Sequence, residues 1–409
     1  MSNEQRSGLS FTCPLAGEAV HRGVSAGGLD GGVSQSSAQA SSPLPNPAPT
    51  HAGSTRLAHD DAQPEQAPVA GGSERTEQAG KAGRKEKRKQ QPRRDKRDVH
   101  GWVVLDKPIG MTSTHAVAVI RRLFSAKRAG HAGTLDPLAT GCLPIALGEA
   151  TKTVPFIMDS TKTYRFTVRW GEERDTDDSE GRVVEVSEAR PTAEQIEAIL
   201  PRFRGVILQT PPRYSAIKID GERAYDIARD GEVVELQPRE IEIDRLDLVE
   251  LPDPDHAVFE TDCGKGTYVR ALARDFGRLV GCKGHVSALR RTSVGPFGEG
   301  EMISLEQLTA LCDRAAAGEA SLADALWPVE TALDDIPALA VNRSDAARLQ
   351  RGQAVILRGR DAPILEGLVY VTVAGELIAL AETGQGQIVP KRVFNLAGLT
   401  GSAGKEKGM

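Results

Sequence analysis

The residues best suited to chemistry lie in one glycine-rich loop, which runs from Arg128 to Gly141. The loop places Asp136 directly before Pro137, and its glycines allow close backbone approach or a positive φ. A loop stiffened in this way would hold one carboxylate in a fixed place, as catalysis requires. An aspartate before a proline is also a common turn or cap residue, and residue type alone leaves both roles open. The same choice applies to His131, which would usually be structural in such a loop.

Two further candidates flank the loop along the chain. Tyr164 falls in the segment KTYRFTVRW, whose alternation of apolar and polar residues predicts a strand. A tyrosine in such a strand is more often a core residue than a catalytic one. Lys107 follows the apolar run GWVVLD and precedes a proline, so it lies in a predicted turn. It would support a pocket, bind phosphate or simply face water.

A basic side is predicted on the helix over 267–280. Arg270, Arg274 and Arg278 recur at four-residue spacing, and an apolar side that begins at Tyr268 lies opposite them. For Arg274 and Arg278 the simplest interpretation is an amphipathic helix with a solvated basic edge.

Neither a metal nor a cofactor is expected from the motifs of the chain. The five cysteines contain no CxxC pair, which argues against a zinc ribbon and against a disulfide framework. The acidic residues Asp175, Asp177 and Glu180 lack the spacing of a calcium-binding EF-hand loop, and a hairpin turn explains them better.

The elements that must position these side chains alternate irregularly. Strands are predicted at 101–106, 142–148, 162–170, 239–248, 256–263 and 284–294, and helices at 192–200, 222–230, 267–280 and 304–312. A further helix is predicted from Ser113 onward, with Ser113 as its cap. This order is not a strict βαβ alternation. It predicts an α+β catalytic domain with a mixed, mainly antiparallel sheet and flanking helices over 99–330. A small β-barrel is expected at 338–400 and a flexible tail at 401–409.

Composition sets the first 98 residues apart. Residues 1–98 hold only eleven bulky apolar side chains, too few to offset the entropy of ordering, and we predict that they are disordered. Within them, residues 81–97 carry ten basic and two acidic residues, a block of +8. Such a block binds phosphate at low salt with little sequence preference, or it serves as a solvated linker.

The net charge of −5 conceals this distribution and by itself argues against a polyanionic partner. Residues 1–80 carry −4 and residues 98–409 carry −9, yet Arg121, Arg122, Lys127 and Arg128 concentrate positive charge just before the loop that carries Asp136. No apolar run approaches the roughly 20 residues of a membrane span, and no signal-peptide core begins the chain, so a cytoplasmic protein without membrane association is expected.

In order and spacing, several motifs resemble the TruB family of tRNA pseudouridine synthases. They span about 101–300 and read GWVVLDKPIGMTS, RAGHAGTLDPLATG, LGEATKT, KTYRF, KGTYVRALARDFG and HVSALRRTSVGPF. The block around Asp136 is highly specific to that family. The resemblance implies isomerisation of the uridine at position 55, in the T-loop of tRNA, by a catalytic domain that often carries a C-terminal RNA-binding PUA domain.

The resemblance also assigns roles to individual residues. Asp136 matches the catalytic aspartate, Tyr164 the active-site tyrosine that stacks on the target base, and Arg270 the arginine that pairs with the aspartate. Substrate-binding positions are matched by His131, Tyr268, Leu289, Lys107 and Asp178. The family's usual Thr-Asp-Thr is written Arg174-Asp175-Thr176 here. The stretch 209–231 is similar to the insertion that closes on RNA.

The implied enzyme needs no cofactor, no metal and no obligatory protein partner, binds the T-arm of tRNA, and is expected to be a monomer. Two other functions remain as hypotheses. The first is a non-catalytic protein that binds or folds tRNA on the same scaffold. The second is a nucleoside hydrolase, which would normally need a second carboxylate as acid. The sequence does not decide whether Asp136 attacks C6 of the base or C1′ of the ribose.

Overall fold

The computed structural model describes residues 96–215, 236–357 and 366–396, and the backbone of 218–219 and 222–223. The predicted extension up to residue 95, most of the basic block, most of the insertion at 209–231 and the tail at 401–409 lie outside the described residues. So does most of the helix predicted at 222–230.

The catalytic region is built on one large sheet of eight strands. They are β1 (Gly101–Lys107), β2 (Ala129–His131), β3 (Ala139–Leu147), β4 (Lys162–Trp170), β7 (Gly205–Gln209), β10 (Arg239–Asp253), β11 (His256–Cys263) and β12 (Gly284–Val294). The strand order is β1-β3-β12-β4-β11-β10-β7, with β2 added beside β3. Every neighbouring pair is antiparallel except β3 and β12, which confirms the mixed, mainly antiparallel sheet.

The parallel pair brings together two segments that are far apart in the chain. Ala139 lies opposite Leu289, and Gly141 lies opposite Arg291. Gly141 has a φ of +96°, and a Cβ there would come within 2.2 Å of the Arg291 carbonyl oxygen. Only glycine allows this approach.

Shorter elements surround the sheet. The helices are α1 (Ser113–Leu123), α2 (Val154–Asp159), α3 (Ala193–Ile199), α4 (Val269–Leu279), α5 (Leu305–Ala316) and α6 (Arg343–Gln350), and 3-10 turns cover Gly148–Lys152, Leu200–Phe203, Glu299–Glu301, Leu322–Ala325 and Val329–Leu333. Small strand pairs are formed by β5 (Glu172–Arg174) with β6 (Val183–Val186) and by β8 (Lys218–Ile219) with β9 (Glu222–Arg223).

Two apolar cores cover the two faces of the sheet. On one face, α1 and α4 pack their apolar sides on the strands, and Ile120, Leu143 and Phe276 share that core. On the other face, Trp102 and Ala146 belong to a second core that reaches the C-terminal sheet. Burial of a large apolar side chain contributes about 1.5–3 kcal/mol, so these cores fix where the loops between strands can lie.

The start of α1 differs in detail from the sequence prediction. The side chain of Thr112, not Ser113, caps the helix by accepting a hydrogen bond from the backbone N–H of His115. The hydroxyl of Ser113 instead points to the catalytic loop, where it bonds both backbone groups of Leu135.

A five-stranded sheet forms the C-terminal module. Its strands are β13 (Ala338–Ala340), β14 (Val355–Ile356), β15 (Gly367–Val373), β16 (Glu376–Gly384) and β17 (Gln387–Val393), in the order β13-β15-β16-β17-β14. The sheet curls into half a barrel and carries α6, which agrees with the predicted PUA-like module. Among the described residues, no helix is long and apolar enough to cross a membrane.

A buried ion pair joins this module to the catalytic region. Glu149 is 4% exposed and pairs with Lys152 at 2.5 Å. The same carboxylate accepts the backbone N–H of Asn395 at 2.8 Å, and Lys152 donates to the carbonyl of Val393 at 2.7 Å. Both partners therefore hold the chain that leaves β17.

Replacing Glu149 by alanine should loosen the C-terminal module, because Lys152 and the Asn395 N–H would lose their buried acceptor. We expect a loss of about 1–3 kcal/mol in the free energy of unfolding, measured by denaturant titration, together with faster proteolytic cleavage near residue 335. Lys127→Ala, which breaks the exposed pair with Asp98, serves as the control and should change neither. Equal effects of the two substitutions would contradict the prediction.

Candidate active site

A cavity of about 340 Å³ opens beside the catalytic loop. It is lined by five of the residues that the sequence singled out, namely Asp136, Tyr164, Tyr268, Arg270 and Leu289. These residues come from the loop before β3, from β4, from the start of α4 and from β12. Lys107, His131 and Asp178 are not part of the cavity wall.

The centre of the site is an ion pair between Arg270 and Asp136. Arg270 Nε lies 2.9 Å from Asp136 Oδ2, and the arginine side chain is 7% exposed whereas the aspartate is 37% exposed. Two further donors of the guanidinium bond the carbonyls of Thr176 at 2.8 Å and Tyr214 at 2.9 Å. The Thr176 and Tyr214 carbonyls therefore fix the guanidinium, and the Asp136 carboxylate that it pairs with lies in the cavity wall.

Asp178 supports this arrangement from outside the cavity. Its Oδ2 lies 3.6 Å from Arg270 Nη1, and the residue is 3% exposed. Its other oxygen accepts the Thr176 hydroxyl at 2.5 Å and the Glu180 N–H at 3.0 Å. The geometry thus connects Asp178 to Arg270, and Asp178 does not line the cavity.

Buried hydrogen bonds fix the backbone of the glycine-rich loop on both sides of Asp136. Ser113 Oγ accepts the N–H of Leu135 at 2.8 Å and donates to its carbonyl at 2.9 Å, immediately before Asp136. The N–H of Gly110 donates to the carbonyl of Pro137 at 2.8 Å. Both neighbours of the aspartate are therefore fixed through their backbones.

Lys107 completes this support. Its side chain is fully buried, so it does not face water, and Nζ donates to the carbonyls of Met111 at 2.8 Å, Pro108 at 3.0 Å and Pro137 at 3.4 Å. All three ammonium hydrogens have acceptors. Burial lowers the pKa of Lys107 to about 8.

The two tyrosines of the cavity are held on different elements. Tyr164 is largely buried on β4, and burial raises the pKa of its phenol. Tyr268 precedes α4, and its backbone exchanges two hydrogen bonds with the side chain of Gln209, at 2.9 Å and 3.1 Å. Burial raises the pKa of Tyr268 as well. Both phenols are therefore protonated at neutral pH.

Two buried cations in the cavity wall were missed by the sequence analysis. Arg291 is 1% exposed, bonds Tyr164, and donates to the carbonyls of Cys142 at 2.7 Å and Gly133 at 3.1 Å. Lys162 donates to the carbonyls of Met158 and Ser160, and burial lowers its pKa to about 8. The available signal was strand alternation, because Lys162 is two residues from Tyr164 and Arg291 two residues from Leu289.

His131 ends β2, outside the cavity wall. Its Nδ1 is buried and has no hydrogen-bond partner among the described residues. Burial, and then the charge of Arg291, lower the pKa of the imidazole, so the ring is neutral at physiological pH.

Comparison with known proteins identifies the family. The family model described as TruB family pseudouridylate synthase (N terminal domain) matches residues 121–269, and the model for the tRNA pseudouridylate synthase B C-terminal domain matches residues 270–334. Together they cover more than half of the chain. The chain belongs to the TruB family of pseudouridylate synthases.

Curated relatives agree with this result. The chain is 76% identical to the tRNA pseudouridine synthase B of Bradyrhizobium diazoefficiens over 317 residues, which are 78% of this chain and 92% of that protein. It is 57% identical to the tRNA pseudouridine synthase B of Agrobacterium fabrum over 312 residues, which are 75% of this chain and 98% of that protein.

Solved structures share the fold at lower identity. A chain in a crystal structure of a Cbf5-Nop10-Gar1 complex is 26% identical, with a TM-score of 0.57 over 72% of this TruB-family chain and 84% of that chain. A chain in the structure of an H/ACA RNP bound to a substrate RNA containing 2'-deoxyuridine is 25% identical, with the same TM-score over 72% and 85% of the two chains. The pseudouridine synthase fold expected from the sequence is thereby confirmed.

The buried ammonium of Lys107 should leave a signature in the pH dependence of stability. Its pKa is near 8 in the folded protein and near 10.5 in the unfolded chain, so the unfolded state binds more protons between these values. The free energy of unfolding should therefore rise over this range, by on the order of 2 kcal/mol relative to Lys107→Met. Denaturant titrations of both proteins at pH 7.5 and 10 measure the difference, and parallel curves would count against a buried charged lysine.

Proposed function

We propose that this enzyme converts the uridine at position 55 in the T-loop of tRNA to pseudouridine, with Asp136 as the nucleophile. The observation that carries the proposal is the ion pair of Asp136 with the buried Arg270 at the mouth of an aromatic cavity. The family membership and the names of its close relatives support the same activity.

The chemistry requires a group that adds to the uridine and leaves again. The N1–C1′ bond breaks, the base turns, C5 bonds to C1′, and the proton on C5 leaves while N1 regains one, so no electrons are gained or lost. A carboxylate oriented by Arg270 can add to C6 or to C1′ and then depart. An isomerisation of this kind needs no redox cofactor and no group donor, and we propose that the enzyme uses none.

The two tyrosines would hold the base during this rearrangement. A flipped uracil needs flat apolar surfaces to replace its stacking in the loop. Tyr164 and Tyr268 line the cavity together with Leu289, which suits them to that role. Because Tyr164 is protonated at neutral pH, stacking suits it better than removal of the C5 proton as a free phenolate. A neutral His131 would contact the RNA next to the extruded nucleotide.

The proposed path of the tRNA continues beyond the cavity. Arg121, Arg122, Lys127 and Arg128 are exposed where α1 ends and β2 begins, and they would bind backbone phosphates of the T-arm. The PUA-like module, within the proposed domain 338–400, would contact the acceptor stem.

The catalytic domain would span 99–330 and act as a monomer without an obligatory protein partner. We place this enzyme in the cytoplasm, where its substrate is found.

Asp136→Asn should abolish pseudouridine formation, lowering the rate by at least about a thousandfold, because the bond-forming group is removed. Unmodified tRNA transcript is incubated with each protein, and pseudouridine is mapped by carbodiimide adduct formation and primer extension. Asp159→Asn is the matched control, since Asp159 also lines the cavity but pairs with Lys265 on the surface. Its activity should stay within a few fold of the wild type.

The same assay separates the other functions. If the wild type and Asp136→Asn both bind tRNA and neither produces a primer stop in the T-loop, the chain is a binding protein and not an isomerase. Release of free uracil would identify a hydrolase. The structure offers that alternative little support, because Asp178 is buried behind Arg270, and Asp159, which lines the cavity, is exposed and paired with Lys265.

Removing residues 1–95 should weaken tRNA binding if the basic block contacts phosphate. The cut leaves Arg97 in place, whose backbone bonds Ser125 and Lys127. We expect the slope of log affinity against log salt to become shallower by several units, since each phosphate contact contributes about 0.9. Filter binding between 50 and 200 mM salt measures this slope, and an unchanged slope would show that the block is only a linker.

A further inference from the structure

Three arginines of α4 each hold an acidic side chain of the segment Glu173–Asp178. Because they are four residues apart, they lie above one another on one side of the helix. The pairs are Arg278 with Glu173 at 2.5 Å, Arg274 with Asp177 at 2.9 Å, and Arg270 with Asp178 at 3.6 Å. The sequence predicted that Arg274 and Arg278 form a solvated basic edge. This prediction is wrong for Arg274, which is buried, and Arg278 is only half exposed. We call these three pairs the arginine ladder.

The middle pair of the ladder is buried on both sides. The side chains of Arg274 and Asp177 are each 8% exposed. Arg274 also donates to the carbonyl of Thr210 at 2.8 Å and to Asp275 at 2.8 Å. Asp177 has a φ of +60°, which few residues other than glycine adopt, and the carbonyl of Asp177 accepts the N–H of Val286 at 3.1 Å. Such a backbone persists only where its surroundings hold it, and the pair with Arg274 does so.

Two of the contacts that hold Arg270 come from Thr176 and Asp178, the residues on either side of Asp177. The carbonyl of Thr176 accepts a hydrogen bond from Arg270 at 2.8 Å, and Asp178 lies 3.6 Å from the same nitrogen. A shift of Asp177 would move both contacts together. It would then alter the direction in which Arg270 presents its Nε to Asp136.

Burial acts against the charge of Asp177 in the middle pair. Burial outweighs the attraction of Arg274, Arg270 and Arg278 and, with repulsion from Glu173, raises the pKa of Asp177 to about 6. Folding therefore disfavours the ionised carboxylate, as is common for buried ion pairs. For Glu173, burial acts in the same direction, but the hydrogen bonds from Arg278 and the charges of Arg278, Lys283 and Arg274 together outweigh it and lower the pKa.

We propose that the Asp177–Arg274 pair is a positioning device for Arg270, which sets the rate of the isomerisation and not the affinity for tRNA. The proposal rests on the function proposed above. Neither residue lines the cavity, so neither is catalytic in the sense of touching the substrate. The Asp177–Arg274 pair acts through Thr176 and Asp178, which contact Arg270.

The test is the substitution Asp177→Asn, which keeps the shape of the side chain and removes its charge. Single-turnover rates are followed by tritium release from tRNA labelled at uridine C5, since the isomerisation exchanges that hydrogen. We expect the rate to fall by about ten- to a hundredfold, because small misplacements of catalytic groups have effects of this size. The Kd for tRNA, measured by filter binding, should stay within about twofold.

Glu173→Gln provides the matched control. Glu173 is as buried as Asp177, at 7% exposure of its side chain, and it also pairs with an arginine of the ladder, but its pair is the farthest from Arg270. This substitution should lower thermal stability while leaving both the rate and the Kd within about twofold of the wild type. A purely structural role for the ladder would make the two variants behave alike.

Three results would overturn the proposal: an unchanged rate in Asp177→Asn, an equal loss of rate in Glu173→Gln, or a loss of tRNA affinity that accounts for the whole effect. If circular dichroism shows that Asp177→Asn does not fold, Arg274→Lys replaces it. Lysine keeps the charge but cannot bond Asp177 and Thr210 in the fixed fork of a guanidinium. A wild-type protein that releases no tritium would refute the proposed function, and this proposal with it.

Discussion

The ion pair between Arg270 and Asp136 is the constraint on which the rest of the site depends. A guanidinium that is 7% exposed must find partners for its donors, because an unpaired buried charge is destabilising. The carbonyls of Thr176 and Tyr214 and the carboxylate of Asp178 supply them. Three separate segments are thereby drawn to the start of α4, and the Asp136 carboxylate, which is 37% exposed, faces the cavity.

The loop that carries this carboxylate is as firmly held as a regular element. Ser113 bonds the backbone before Asp136, while Lys107 and Gly110 bond the carbonyl of Pro137 after it. A carboxylate held in this way would lose little entropy in a reaction in which it takes part. The glycines allow the loop its tight path, and the hydrogen bonds from Ser113, Lys107 and Gly110 hold the loop in that path.

Sequence patterns predicted the positions of the helices and strands better than they predicted the burial and the contacts of the side chains. Alternation located β4 and four-residue spacing located α4, since both depend on local geometry. The same spacing could not show that Arg274 is buried, because its partner Asp177 lies 97 residues away in the chain. The burial of Arg291 was hidden for the same reason, because the carbonyl of Cys142 that it bonds lies 149 residues away. Lys107 and Lys162 donate mainly to carbonyls within four residues of them, but the residue pattern gives no sign of these bonds. The catalytic and binding roles assigned to the site residues, and the role of the basic block, remain predictions.

The parallel pairing of β3 with β12 affects the order in which the cavity forms during folding. It joins residues 139–141 to residues 289–291, so the cavity wall cannot close until a chain segment of roughly 150 residues has been brought back on itself. Contacts of such long range form slowly. A nascent chain would therefore expose Asp136 well before Arg270 and Arg291 reach it. The cavity would therefore assemble late in folding, and shortened or interrupted chains would carry Asp136 without the residues that surround it in the folded protein.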